Sequence, residues 1–481
     1  MKKKSQSLAE STERRKYGMH LTSIDIFYQF ILPEIKKELW NYCWVDLFAG
    51  EGNLILPILE LIPSNQRVKF FKEHIWLFDN NSSLIKEAIK NAVKYGIKQE
   101  IAQEKILVRD TLCDYPIFIK NSPFPIFHIT NPPYLYLGYI VKKAREHLQY
   151  FTGPNEFYQD LYQIALVNDL RNNISKMIYI IPSNFLFGYS ASNKIRKDFF
   201  EFYKVEKAII FEKKIFEYTG TNVCICFFNK KGAPHHSPIK FKTIKINQNI
   251  VEKEILLKPE NCYRAGNEFD EFVEKFRSGN PLKIKFYLNK DELEKQSGKY
   301  KIKLLDANQW LGNHYQLVEY SVNHKLYERI VKNPLFIRTI DTGGWEGRAG
   351  LYLIPEVFNA DGILVSEAKY RTHPIQIFIE PSLNYEEICL LRKYFNWVLE
   401  ELRKITDSEF MTTYKYSNSE YTRKYLGLSQ AKALIETFPI LELDNKTKKI
   451  LSALVSEKDL QGIVEFLDKR RNRKLCLFSE M

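Results

Sequence analysis

Residues 127–134 read Phe-His-Ile-Thr-Asn-Pro-Pro-Tyr, an apolar run that ends in an amide, two prolines and a phenol. Asn131 offers a carbonyl acceptor. Pro132 adds a backbone acceptor, and Pro133 removes a competing N–H from the same turn. Two acceptors on a stiff turn suit an exocyclic amine. Tyr134 beside them supplies a flat face on which a heterocycle can stack, a contact worth roughly 1–3 kcal/mol per base. Taken alone, four such residues are equally a strand-terminating proline turn with a core tyrosine. Three acids precede them. Asp46 closes Trp44-Val45-Asp46 and leads through Phe48 to Gly50 and Gly52, Asp79 closes Ile75-Trp76-Leu77-Phe78-Asp79, and Asp110 follows Ile106-Leu107-Val108-Arg109.

Each acid stands where an apolar strand empties into a loop, which is where parallel strands bind ligands. Gly50 and Gly52 let the backbone pass a ligand without a Cβ in the way. They lack the third glycine of the dinucleotide fingerprint, so a pyrophosphate is not their ligand. An acid in the place of Asp79, at the end of a second strand, can accept both hydroxyls of a ribose. The elements that must hold these residues follow in order. Thr22 or Ser23 caps a helix carrying Ile24, Phe27, Ile31 and Ile35, and an apolar helix follows Gly52. Another helix starts near Gln159 and ends near Arg171. Further apolar strands lie at 176–184, 207–211 and 221–228. Alternating strands and helices predict a doubly wound α/β sheet.

Asn131-Pro132-Pro133-Tyr134 resembles the Asn-Pro-Pro-Tyr motif of S-adenosylmethionine-dependent amino-methyltransferases, best known in adenine-N6 DNA methyltransferases. Asp46-Leu47-Phe48-Ala49-Gly50-Glu51-Gly52 resembles the Asp-x-Phe-x-Gly-x-Gly signature of class I methyltransferases. The order of the two segments is similar to the gamma group, and the likeness covers roughly residues 17–230. It implies a class I methyltransferase sheet with S-adenosylmethionine as cofactor. Thr22 and Asp46 would then lie near the methionine end, Phe48, Gly50 and Gly52 in the cofactor loop, Asp79 at the ribose and Asp110 at the cofactor's adenine. Asn131, Pro132 and Tyr134 would be catalytic, with Asn131 also near the cofactor. A flipped adenine would stack between Tyr134 and Phe216. Ser23 departs from the pattern, since a proline is common after that threonine.

At 481 residues with 45% hydrophobic content, the chain is long enough for two cores. Lys and Arg outnumber Asp and Glu by 71 to 58, a net +13 that favours a polyanionic partner. Seven cysteines without a CxxC pair argue against a zinc site or a disulfide framework and fit the cytoplasm. No apolar run reaches membrane-spanning length. The expected layout is a basic arm at 1–16, a methyltransferase domain at 17–232, a break at Gly232–Pro238, an α+β target-recognition domain at 239–465 and a basic tail at 466–481. Ile239–Ile246 and Lys283–Leu288 alternate as strands of that second domain, and 385–405 reads as an amphipathic helix. Arg348, in a glycine-rich loop, and Lys415, Tyr416, Arg423 and Lys424, in a stretch mixing aromatics with bases, are the candidate DNA contacts. The expected activity is methylation of adenine N6 in duplex DNA within a restriction-modification system, alongside a cognate restriction endonuclease and without metal. Cytosine N4, an RNA amine and a glutamine amide remain open as acceptors, as does a catalytically inactive DNA-binding specificity protein.

Overall fold

The computed structural model describes residues 22–212, 215, 222–246, 249–342, 347–367, 374–415 and 423–479, with the backbone alone for 414–415 and 471–479. The chain divides into two units, 1–265 and 266–481.

The first unit is built on a nine-stranded sheet. Its strands are β1 (Cys43–Asp46), β2 (Ile75–Asp79), β3 (Ile106–Val108), β4 (Ile126–Thr130), β5 (Lys176–Pro182), β6 (Tyr203–Phe211), β7 (Val223–Lys230), β8 (Ile239–Ile246) and β9 (Ile250–Leu257). Their spatial order is β3-β2-β1-β4-β5-β7-β6-β8-β9. Strands β1 to β5 pair in parallel, and β7 enters antiparallel between β5 and β6. The central strands are covered on both faces, which is why they read as unbroken apolar runs rather than alternating ones. Helices α1 (Ser82–Lys94) and α2 (Leu161–Asn172) are among the covering elements. The strand order reverses between β1 and β4, the position at which doubly wound sheets open a crevice beyond their carboxyl ends.

Two expectations change, and a third narrows to one of its two residues. The break at 232–238 lies inside this unit, because β8 pairs with β6 in parallel and β9 pairs back onto β8. The alternation of Ile239–Ile246 is that of an outlying strand of the same sheet, and a period of two cannot tell which sheet a strand joins. The apolar stretch after Gly52 is a short 3₁₀ helix, Leu56–Leu61, rather than an α-helix, with Pro57 near its start. Pro57 has no N–H to give a helical ladder, and Leu56, Pro57, Ile58 and Leu59 are all buried. Ser23, not Thr22, caps the helical segment from Ile24, by accepting the Asp25 N–H at 3.2 Å. That frees Thr22 for a different partner.

The second unit contains two four-stranded sheets. The first orders Lys283–Phe286, Ile375–Glu380, Leu335–Arg338 and Gly350–Leu353, all antiparallel. Its core includes the buried face of the 22-residue helix Tyr385–Thr406, which carries Leu391, Tyr394, Phe395, Val398 and Leu399. Asn384 and Glu387 close a capping box at that helix's start. The second sheet is dominated by the long hairpin of Ser297–Trp310 and Tyr315–Val322. Among the described residues no helix is long and apolar enough to cross a membrane.

Candidate functional site

Asp46 ends β1 at the strand-order reversal and is fully buried. Its Oδ1 accepts from Thr130 Oγ1 at 2.6 Å, on the adjacent strand β4, and from the Phe48 N–H at 2.9 Å. Its Oδ2 is buried without a hydrogen-bond partner. Burial pushes the carboxyl up to about 6, with the bonds from Thr130 and the Phe48 N–H pulling the other way. A buried carboxylate oxygen with no donor is costly, and a cation placed against it would relieve that cost.

The glycine loop beyond Asp46 is tied to β2. Gly50 adopts φ 54° and donates its N–H to Asp79 Oδ2 at 2.9 Å, and the Ala49 N–H reaches the Phe78 carbonyl at 2.8 Å. Gly52 adopts φ 83°, and a Cβ there would stand 2.5 Å from Leu56 Cδ1, so the position demands glycine twice over. Asp79 Oδ1 accepts the Asn81 N–H at 2.8 Å, and burial raises its carboxyl above the usual range. Past β3, Asp110 Oδ2 accepts the Tyr150 hydroxyl at 2.7 Å.

Asn131 follows β4 directly. Its Nδ2 donates to Thr22 Oγ1 at 2.9 Å, and its Oδ1 accepts the Tyr134 hydroxyl. Those two bonds set which way the amide faces. The Thr22 carbonyl accepts from Asn53 Nδ2 at 3.0 Å, so Thr22 joins the glycine loop to the proline turn. The Ile180 carbonyl lies 2.7 Å from the same Tyr134 hydroxyl and shares its one hydrogen with Asn131, and the ring lies in the core with 9% of its surface exposed. The structure thus gives Tyr134 a role the sequence reading did not: its hydroxyl orients the Asn131 amide, while the ring face expected to receive a base is largely covered. Pro132 is buried and Pro133 half-buried.

These residues converge on one cleft of about 870 Å³, its open mouth included. Thr22, Asp46, Phe48, Gly50, Asp79, Asp110, Asn131 and Pro133 line it, and so do Arg109, His147, Tyr150 and Leu161. Gly52 is not among the lining residues. Phe216 lies outside the described residues. Sequence reasoning missed Tyr150 and His147, which sit in the 3₁₀ segment Arg145–Phe151 and carry no motif of their own. It also missed Asp160, which accepts the Leu135 N–H at 2.8 Å and so anchors the proline turn's exit; burial lifts its carboxyl to about 7. His128 was the one legible signal, a polar residue inside an otherwise apolar strand.

The sequence model of the N-6 DNA methylase family matches residues 45–309, more than half of the 481. The chain belongs to the N-6 DNA methylase family. No curated protein matches the sequence. Among solved structures, a nuclease-deletion mutant of the type ISP restriction-modification enzyme LlaGI, in complex with a DNA substrate mimic, is similar at 12% identity and TM-score 0.50, over 86% of this chain and 46% of that one. The type IIG restriction endonuclease BpuSI is similar at 13% identity and TM-score 0.39, over 92% of this chain and 62% of that one. A type I restriction-modification methyltransferase subunit from Streptococcus thermophilus is similar at 17% identity and TM-score 0.32, over 47% of each. The chain spans less than two thirds of each of these relatives.

In the second unit of this N-6 DNA methylase family member, two of the candidate DNA contacts, Arg423 and Lys424, bond to a buried acid, Asp341. Arg403 grips Asp341 with two bonds, at 3.0 and 2.7 Å, and both side chains are buried. Asp341 also accepts the N–H groups of Ala349 at 2.9 Å and Lys424 at 3.2 Å, and Arg423 Nε donates to its carbonyl at 2.7 Å. Arg348 pairs with Glu400 at 3.2 Å, and Lys424 is 4% exposed, so both are engaged within the protein. Lys415 lies on the strand Thr412–Lys415, its side chain outside the described residues, as is all of Tyr416.

Proposed function

We propose that this chain transfers a methyl group from S-adenosylmethionine to N6 of an adenine in DNA, as the modification activity of a restriction-modification system that includes a restriction endonuclease. One observation carries the reading. The cleft at the strand-order reversal brings three strand-end acids and the Asn131 amide together, with Asp46 Oδ2 buried and unpartnered beside them.

The residues fit the cofactor. Asp46 Oδ2 would take its ammonium group and Asp79 its ribose hydroxyls, and Gly50 lines the same cleft. Asp110, with Tyr150 bonded to it, would receive its adenine. Bound there, S-adenosylmethionine supplies a methyl group activated by a neighbouring positive sulfur.

This chain's own residues then orient the acceptor. The Tyr134 hydroxyl holds the Asn131 amide through Oδ1. That oxygen, an acceptor with two lone pairs, would with the Pro132 carbonyl accept from the exocyclic amine and draw its lone pair toward the methyl donor. Because Thr22 and Tyr134 hold the amide before the amine arrives, little reorganisation is needed at reaction, and rate enhancement comes from orientation and fixed dipoles. An adenine within a duplex must leave the stack to reach this turn, at a cost of a few kcal/mol. The family match favours adenine over the other amines, and the intact Asn131, Thr22 and Asp46 constellation argues against an inactive scaffold.

The test is Asn131→Ala, assayed for transfer of labelled methyl to DNA and for binding of S-adenosylhomocysteine. Methylation is expected to fall at least about a hundredfold, the loss typical of removing one preorganised polar group. Binding of S-adenosylhomocysteine is expected to persist. Full methylation by the variant would sink the assignment.

A further inference from the structure

We infer that Asp169, on α2 and outside the cleft, is a positioning residue for the cofactor, acting through His128 to hold the Asp46-Leu47-Phe48 turn. This deepens the reading above and rests on it.

Leu47 is the first residue past β1, so its N–H has left the strand ladder, whose last β1 pairing is Asp46 with Leu77. Leu47 is buried, and an N–H there needs an acceptor. It donates to His128 Nε2 at 3.2 Å. The Leu47 carbonyl accepts Thr111 Oγ1 at 2.8 Å. The residue joining Asp46 to Phe48 is thus clamped at both polar ends, and the two cleft-lining residues on either side are fixed with it.

A ring nitrogen that accepts an N–H carries no hydrogen of its own. The hydrogen of neutral His128 must therefore sit on Nδ1, where Asp169 Oδ2 receives it. Asp169 is completely buried and is itself held by the hydroxyls of Tyr179, at 2.6 Å on Oδ2, and Tyr115, at 2.9 Å on Oδ1. Neither Asp169 nor His128 lines the cleft. The carboxylate therefore acts at a distance, by choosing the tautomer that leaves Nε2 able to hold Leu47.

The test uses the full chain labelled with ¹⁵N-histidine, whose nine histidines give a tractable imidazole spectrum, with His128→Gln assigning the signal. The wild type is expected to show a protonated Nδ1 and a bare Nε2 at residue 128. Asp169→Asn is expected to move hydrogen onto Nε2 and to weaken S-adenosylhomocysteine binding about tenfold to a hundredfold, as when the partner orienting a histidine from behind is lost. Tyr179→Phe removes a bond from the same carboxylate, and a 3.4 Å contact of its hydroxyl with His128 Nδ1, but keeps the bond between Asp169 and His128, and is expected to bind close to wild type. Should Asp169→Asn not fold, His128→Gln, which keeps an acceptor for Leu47, is expected to bind more tightly than His128→Phe. A wild type that fails to bind S-adenosylhomocysteine would overturn the functional reading. A wild type that binds, with Asp169→Asn unchanged in tautomer and affinity or with His128→Phe equal to His128→Gln, would overturn this inference alone.

Discussion

At the scale of single residues, Asp46 is where structure and chemistry meet most sharply. Its carboxyl titrates near 6 because it is buried, and only its ionised form attracts a cation. Affinity for S-adenosylhomocysteine is therefore expected to be full above pH 7 and to fall as the pH drops through 6, by about tenfold per unit once the proton is on. Calorimetric titration across that range checks it, and Asp46→Asn should remove the pH dependence and hold affinity at the low level. The sign for stability is opposite. An acid whose folded pKa lies above its unfolded value weakens the unliganded fold when ionised, so Asp46, and Asp160 with its carboxyl near 7, should make the unliganded protein more stable at pH 5 than at pH 7, as far as these two groups decide it. Urea unfolding at the two pH values, in wild type and Asp46→Asn, measures that difference.

At the scale of elements, the glycine loop and the Asp341 cluster each concentrate strain or charge that one substitution would release. Gly52→Ala must accept both φ 83° and a 2.5 Å contact with Leu56, and should cost about 1–3 kcal/mol in urea unfolding while weakening cofactor binding. Asp341→Ala removes the two-bond partner of the buried Arg403 guanidinium, leaving it Ser408 at 3.2 Å and Glu400 at 3.7 Å, and should cost about 3–5 kcal/mol, whereas Lys404→Ala, at the exposed end of a pair with Glu401, should cost at most about 1 kcal/mol. The strands and their acidic ends were legible in the sequence because a buried parallel strand is an apolar run and its ligand end is abruptly polar. Asp46, Asp79, Asp110 and Asn131 could thus be placed before any coordinates. The Asp169–His128 pair could not, since 41 residues separate its members and only the packing of α2 against β4 joins them. The unit boundary failed for a similar reason. Gly232 to Pro238 looks like a linker, but the chain returns through β8 to the sheet it left, and local composition carries no record of that return. Tyr134 shows a third limit: residue type suggested a stacking face, while burial turned its hydroxyl into a brace for Asn131.

At the scale of the whole molecule, the net charge of +13 and the pairing of a methyltransferase sheet with a second α/β unit suit a DNA partner. If DNA is bound through phosphates, the logarithm of affinity should fall linearly with the logarithm of salt concentration, with a slope of about −0.9 for each phosphate neutralised. Fluorescence anisotropy with duplex DNA at several salt concentrations reads that slope, and an affinity indifferent to salt would remove DNA from the account. The reaction itself is read by single-molecule modification sequencing of DNA from cells expressing the chain, beside cells expressing Asn131→Ala. N6-methyladenine is expected at a defined sequence in the first sample and none at that sequence in the second. Adenines unmodified in both samples, or modified equally in both, would contradict it.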